Sequence, residues 1–363
     1  MMQTPRLTVR EVRARPVMVP VDPPLETAGG TISTAPLVLV DALTAEGVTG
    51  SSYLFCYTPA ALHPTARLVL NFGELIEGEP AAPAIVAEKL QRHVRLLGPQ
   101  GLTGMAIAAI DIALWDALAK ACGLPLAGLL GGAPGPIPAY ASLGAITPER
   151  VAAEAEDAVR RGFTAVKIKV GRSDLAADLD AIRAVRRAAG DRVSLMVDYN
   201  QCLTFPEAIR RAGALDGEGL TWIEEPVRAD DDAGHAAVAR EAQTPIQIGE
   251  NWWGPHDMAK SLTAGASDVV MIDVTKIGGV SGWLRGAALA EAAGMPASSH
   301  IFPEISAHLL AATPTRHWLE YLDFAGPLLR TPLELRDGRL ATGTGPGIGL
   351  DWDEEAVERL LAR

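Results

Sequence analysis

Asp198, Glu224 and Glu250 stand at a fixed interval of 26 residues. Each lies at or near the end of a short apolar run: VSLMVDYN (193–200), LTWIEEP (220–226) and PIQIGE (245–250). Three carboxylates gathered in one place cannot all stay ionised without a counter-cation. An all-oxygen set favours a hard divalent ion, Mg²⁺ first with Mn²⁺ as a substitute, and leaves coordination positions for substrate and water. Pairing of the same carboxylates with Lys or Arg would leave the spacing unexplained. Glu225 follows Glu224 directly and is expected on the opposite face of its strand, so only one of the two is expected to be a ligand.

Two further pairs carry proton chemistry. Asp273 ends DVVMIDV (268–274) and His300 ends MPASSH (295–300). A carboxylate beside an imidazole fixes its tautomer and raises its basicity, as a general base requires. In TAVKIKV (164–170), Lys167 and Lys169 alternate with β-branched residues, so both ammonium groups leave one face of a strand. A second cation two residues away lowers a lysine pKa towards the range where the amine is a base. Two bases flanking a metal-bound carboxylate suit 1,1-proton transfer through an enediolate that the metal stabilises. The other six histidines fall on helices, loops or a strand start, where surface or packing roles are expected.

The elements that must position these groups are legible from periodicity. Residues 1–130 read as an α+β domain: three strands of a meander (LTVREVRARPVMVP, TAPLVLVDALTAEG, VTGSSYLFCY), then helical patterns at 80–96 and 104–123. The Gly- and Pro-dense GLLGGAPGPIP (128–138) marks a boundary. From 131 to 322, eight strand-like runs, beginning with IPAYAS (137–142) and ending with HWLEYL (317–322), mostly alternate with amphipathic helical stretches. That rhythm implies parallel βαβ units closed into a (β/α) barrel. Ser142, Lys167 and Lys169, Asp198 and Asn200, Glu224, Glu250, Asp273, His300 and Glu320 all lie at C-terminal strand tips, the end where barrel enzymes place their sites. Residues 323–363 carry a hairpin and a short helix expected to return to the N-terminal domain, and TGTGPGIG reads as a loop without the Lys of a phosphate-binding motif.

With those residues in view, the chain resembles the enolase superfamily, and within it the mandelate racemase subgroup. LMVDYNQ, TWIEEP, GENWWGP, KIGGVSGW and SSHIFPEISAHLLAATPTRHWLE carry the resemblance over almost the whole length. It implies a modified TIM barrel, (β/α)7β, with an N-terminal α+β capping domain completed by the C-terminal segment. It further implies that Asp198, Glu224 and Glu250 bind one Mg²⁺, that Lys169 is the base for one enantiomer, and that His300 with Asp273 serves the other. Lys167 would neutralise the substrate carboxylate, and a protonated Glu320 would donate to it. Asn200 would face the α-hydroxyl, Ser142 would contact the carboxylate, and Lys276 would lie near metal and substrate. Leu25, Gly29 and Ile32 of the capping loop (23–36), with Phe55 and Tyr57, would close over the distal group. The sequence departs from the pattern at Leu143, Glu26 and Gly29, where histidine follows the serine or histidine and valine stand in the capping loop. An added acid near the distal wall is expected to admit a larger or more polar substrate.

A net charge of −12 argues against non-specific nucleic-acid binding. The three cysteines lack CxxC spacing, which excludes a cysteine-based zinc site and suits a cytoplasmic protein. The N-terminus is too charged for a signal peptide, and no uninterrupted apolar run of membrane-spanning length is present. The expected partner is a small carboxylate substrate, with a homo-oligomer, plausibly an octamer, implied by the resemblance. Racemisation of a 2-hydroxy acid is the leading reading, and dehydration of an acid sugar uses the same groups. A Schiff-base aldolase would not need the carboxylate trio, and a non-catalytic scaffold would need neither the trio nor the bases.

Overall fold

The computed structural model describes residues 6–27, 30–172 and 174–362. β1 (Val9–Thr27), β2 (Gly30–Thr44) and β3 (Thr49–Phe55) form an antiparallel meander in that order. One face is covered by α1 (Pro59–Glu74), α2 (Pro83–His93) and α3 (Gly101–Ala121). Val38, Val40 and Leu54 pack there against Ile107, Ile110 and Leu114. By length and composition α3 could cross a membrane, contrary to the sequence expectation, but it is mostly buried as the core helix of this domain. Gly123, with φ of +67°, ends it as glycine can.

Residues 23–27 and 30–36 form no loose loop: β1 and β2 extend into a ribbon in which Leu25 and Ile32 are cross-strand partners. Gly29 lies outside the described residues. The ribbon leans on the barrel so closely that a Cβ on Gly144 would stand 3.0 Å from the Leu25 backbone.

After α4 (Leu126–Leu129) the barrel begins. Its strands are β4 (Pro136–Ser142), β5 (Ala165–Lys169), β6 (Ser194–Asp198), β7 (Ile223–Glu224), β8 (Ile246–Ile248), β9 (Val269–Asp273), β10 (Ala297–His300) and β11 (Leu319–Tyr321). The seven intervening helices are α5 (Pro148–Arg160), α6 (Leu175–Ala189), α7 (Phe205–Leu215), α8 (Asp232–Glu241), α9 (Pro255–Ala264), α10 (Gly279–Ala292) and α11 (Pro303–Ala311). Neighbouring strands pair in parallel from β4 to β10, and β11 pairs with β4. Hydrogen bonds from Ala297 and Ser299 to the carbonyls of Thr315 and Trp318 join β10 to β11 and close the ring. This is the (β/α) barrel that the periodicity implies, in the (β/α)7β form that the resemblance implies.

Period-two alternation layers the interior. Tyr140, Ala165, Met196, Trp222 and Met271, packed against Trp318, make an apolar floor. Two residues further along the same strands come Ser142, Lys167, Asp198, Glu224, Asp273 and Glu320, all buried. The outward residues Val166, Ile168, Val197 and Ile272 join the core beneath the helices.

The C-terminal segment divides between the two domains. In its hairpin, β12 (Leu335–Arg336) and β13 (Arg339–Ala341), β13 pairs antiparallel with the entry of β4, where that strand's early residues have an edge to fill. α12 (Glu354–Leu360) makes the expected return: Leu361 bridges Val17, and Glu354 pairs with Arg15 at 2.6 Å. The Gly-rich stretch is a loop, as expected, held by Ile348 N–H donating to Asp116 at 2.6 Å. Two buried contacts seat the cap on the barrel: Asp111 accepts from Ser281 at the start of α10 (2.6 and 2.9 Å), and Tyr53 donates to Glu304 (2.7 Å).

Candidate active site

The trio is assembled by register. Lys169 lies opposite Asp198, and Asp198 opposite Glu224, on three successive strands. Glu250 lies beyond the end of β8, where alternation from the inward Gln247 would turn it outwards. Gly249 breaks the alternation with φ of +130°, in a spot where a Cβ would collide with the Met271 carbonyl and Trp252. Glu250 thereby joins the others, with one oxygen from each of the three carboxylates within 4.8 Å of the rest. A hard cation of Mg²⁺ type fits this buried all-oxygen set.

Only Glu224 of the adjacent pair joins the trio, but strand alternation is not what keeps Glu225 out of it. Glu225 follows the two-residue β7 with φ of +41°, so strand alternation does not govern it. It is buried, and burial followed by the nearby charges of Glu250 and Asp198 raises its pKa well above the usual carboxylate range. Asn251 donates to its Oε1 at 2.7 Å and accepts from Lys276 Nζ at 2.6 Å, so one amide ties Lys276 to the rim of the trio. Tyr57, Asn200, Gln201, Ile301 and Phe302 also have positive φ at strand exits, and strained backbone of this kind concentrates at functional sites.

The two lysines are counter-ions here. Lys167 reaches Glu224 at 2.5 Å and Glu320 at 2.9 Å, and Lys169 reaches Asp198 at 2.5 Å. Burial works to lower the Lys169 pKa and Lys167 adds to it, but Asp198 together with Glu250 and Glu320 holds the ammonium above the ordinary range. The expectation of a lysine near neutrality therefore fails for this state, because the carboxylates around Lys169 act on it more strongly than the second cation does. Glu320 is likewise ionised, not protonated. Burial would raise it, but Lys167 and then His300 bring it down to about 2. Beneath the trio, Trp222 and Gln247 each donate to Glu224 Oε2 at 3.0 Å and fix its orientation. Neither stood out in the sequence, since their polar atoms matter only once the barrel is closed.

On the other side, His300 and Asp273 are register partners, with Nδ1 to Oδ2 at 2.6 Å. Asp273 Oδ1 accepts from Thr275 N–H and hydroxyl and from Lys276 N–H, at 2.6–2.9 Å. Burial opposes ionisation of Asp273, but His300 leads the groups that keep it below the usual range. It therefore accepts from Nδ1–H and turns Nε2 inwards, where Glu250 lies 3.4 Å away. Burial lowers the His300 pKa, yet Glu250 and Asp273 together raise it overall.

Asn200 donates to Asp198 at 2.9 Å, while its Oδ1 and the Ser142 Oγ are buried without partners. The Tyr57 hydroxyl stands 3.4 Å from Asp273, and the Lys276 ammonium lies 4.5 Å over its ring. Phe55 stacks on Phe324 at 4.5 Å, Leu25 is buried, and Ile32 is half-buried against the core. Glu26 does not serve as a polar wall: its carboxylate is bonded to Arg150 at 2.9 Å. The remaining histidines take packing or surface positions, such as buried His308, which accepts from Ala127 N–H at 3.2 Å.

Residues 9–131 match the mandelate racemase/muconate lactonizing enzyme N-terminal domain, and 150–356 match the enolase C-terminal domain-like family. An enolase from Bradyrhizobium, complexed with magnesium and mandelic acid, superposes with a TM-score of 0.95 at 46% identity over 100% of both chains. L-talarate/galactarate dehydratase of Salmonella typhimurium is 38% identical over 72% of this chain and 66% of its own length. L-Ala-D/L-Glu epimerase of Bacillus subtilis is 30% identical over 92% of this chain and 94% of its own. Relatives thus include both epimerases and acid-sugar dehydratases on one scaffold. With both of its domains matched and its fold shared over the full length, the chain belongs to the mandelate racemase/muconate lactonizing enzyme family of the enolase superfamily.

Proposed function

We propose that this protein is a Mg²⁺-dependent racemase of a 2-hydroxy acid, mandelate or a relative, acting by two-base proton transfer. One observation carries the reading: two bases of different type flank a single carboxylate trio, Lys169 against Asp198 and His300 Nε2 towards Glu250. Asp198, Glu224 and Glu250 would hold the ion, which when bound supplies the Lewis acidity that a C–H beside a carboxylate needs in order to ionise. Asp198, as one of the residues that would hold the ion, would then share its charge between ion and Lys169, and a weaker hold on the ammonium would let the amine act as a base.

The chain's own groups do the rest. Lys167 neutralises the negative charge that grows on the substrate carboxylate. Glu320 donates to that carboxylate once protonated, a state favoured when a second anion arrives beside it. The unpartnered Asn200 Oδ1 accepts the α-hydroxyl. Lys169 removes or returns the proton on one face and His300 Nε2 on the other, with Asp273 holding the imidazole's orientation. Leu25, Ile32, Phe55 and Tyr57 cover the distal group and exclude water.

The Bradyrhizobium relative with bound mandelic acid supports this reading. The Salmonella dehydratase favours a second one, in which the His300–Asp273 pair expels a β-hydroxyl from an acid sugar. Incubation in D₂O with (R)- and (S)-mandelate and a panel of sugar acids separates them. Racemisation with α-deuterium exchange of mandelate supports the first; ketone formation from sugar acids with mandelate inert overturns it.

A further inference from the structure

Lys276 is a buried lysine, 7% exposed, on the turn that follows β9. Its ammonium is held by a neutral amide, where those of Lys167 and Lys169 are held by carboxylates: Nζ donates to Asn251 Oδ1 at 2.6 Å. Two aromatic rings flank the same ammonium, with centroids 4.5 Å away at Tyr57 and 5.9 Å away at Trp253. Trp253 follows β8 on the barrel, whereas Tyr57 follows β3 on the capping domain. The cation therefore joins cap to barrel, and a cation over an aromatic face holds most firmly where water is excluded.

Tyr57 needs such a hold. It is 37% exposed, and its φ of +60° is strained for a tyrosine. A second link to the barrel is its hydroxyl, 3.4 Å from Asp273 Oδ2, the oxygen that also accepts from His300 Nδ1–H. Lys276 acts on the other oxygen of the same carboxylate, since its own N–H donates to Asp273 Oδ1 at 2.9 Å. One residue thus braces the dyad through its backbone and holds the covering ring through its side chain. We propose that Lys276 is a positioning residue whose ammonium latches Tyr57 over the site, so that closure of the cap and bracing of the His300–Asp273 dyad occur together. This differs from the substrate contact that the resemblance implies, because an amide oxygen and two ring faces already engage the ammonium. It rests on the reading of the barrel mouth as the site of proton transfer.

The test is backbone hydrogen–deuterium exchange of the full, Mg²⁺-loaded chain, read by mass spectrometry, with α3 as the control for global unfolding. Lys276→Met and Tyr57→Leu are each expected to speed exchange across residues 55–61 about tenfold, and the double variant no further, because both remove one contact. Tyr57→Phe keeps the ring and should stay within about twofold of wild type. Unchanged exchange in Lys276→Met, or additive effects in the double variant, overturns the proposal. If Lys276→Met does not fold, Tyr57→Leu against Tyr57→Phe carries the test, and equal exchange in the two overturns it. Kinetics with (R)- and (S)-mandelate separate a latch from a substrate contact. Lys276→Met should raise KM about tenfold in the wild-type background with kcat little changed, and within about twofold in the Tyr57→Leu background. An equal rise in both backgrounds makes Lys276 a substrate contact and overturns the proposal. Mandelate inert in the wild type, with amide exchange coupled as expected, sinks the racemase reading and keeps the latch.

Discussion

His300 and Asp273 are direct partners in the register of two adjacent parallel strands, and their side chains meet at 2.6 Å. The backbone ladder therefore brings the two side chains of the dyad side by side. Asp273 cannot drift, because its other oxygen accepts from Thr275 and Lys276. Only Nε2 is free to face the trio.

His300→Asn is expected to reduce racemisation by about 10²–10⁴-fold, the worth of a general base, while exchange of the enantiomer served by Lys169 persists. Lys169→Ala is expected to show the mirror result. Proton NMR in D₂O with each enantiomer separately reads both; loss of exchange for both enantiomers in either variant contradicts the two-base assignment.

Chelation with EDTA is expected to abolish turnover, and Mg²⁺ to restore it. Gln247→Leu removes one of two donors to Glu224 Oε2 and should weaken Mg²⁺ binding about 10–100-fold, as loss of an outer support of a ligand does. Calorimetric titration with Mg²⁺ measures this without substrate, and an unchanged Kd would remove Gln247 from the support of the site.

The Glu26–Arg150 pair ties the capping ribbon to α5 across a partly exposed gap of 2.9 Å. Arg150→Ala is expected to raise KM several-fold with little change in kcat, since the pair holds the cover and touches no reacting atom. An exposed pair contributes at most about 1 kcal/mol, so thermal stability should barely move. A fall in kcat with unchanged KM would contradict this.

Glu304 lies buried at the cap–barrel junction, and burial, with Asp323 second, raises its pKa to about 7. A carboxyl whose folded pKa exceeds its unfolded value is least costly when protonated. Its penalty grows as pH rises from about 4.5, the unfolded value, to about 7, then stays constant. The shift corresponds to roughly 3 kcal/mol at neutral pH. Glu304→Gln keeps an acceptor for Tyr53 and should gain stability relative to wild type across that window. Denaturant unfolding at several pH values checks it; a difference that does not grow from acid to neutral pH would show that Glu304 is not the group responsible.

Much of the site was legible in the sequence because alternation and the 26-residue βα interval are local properties. They are enough to place Ser142, Lys167, Lys169, Asp198, Glu224, Asp273, His300 and Glu320 at the strand tips. Asn251, Gln247 and Trp222 were not legible, and Glu225 was placed by strand alternation alone. Glu225 needs a positive φ that strand alternation does not foresee, and Asn251 and Gln247 act on partners about 25 residues away. Glu26 was misread for the same reason, since its partner Arg150 is 124 residues distant.

By itself the sequence determined the barrel, its cap, the oxygen trio and the strand-tip lysine and His–Asp groups, since hydrophobic period and residue type are written along the chain. Tertiary structure alone decided the charge states and the pairings. Lys169 is held as an ammonium and Glu320 as a carboxylate by neighbours on other strands, while Glu26 is engaged by Arg150. The reason is physical: a titration state depends on burial and on charges within a few ångströms, and only the closed barrel fixes those distances.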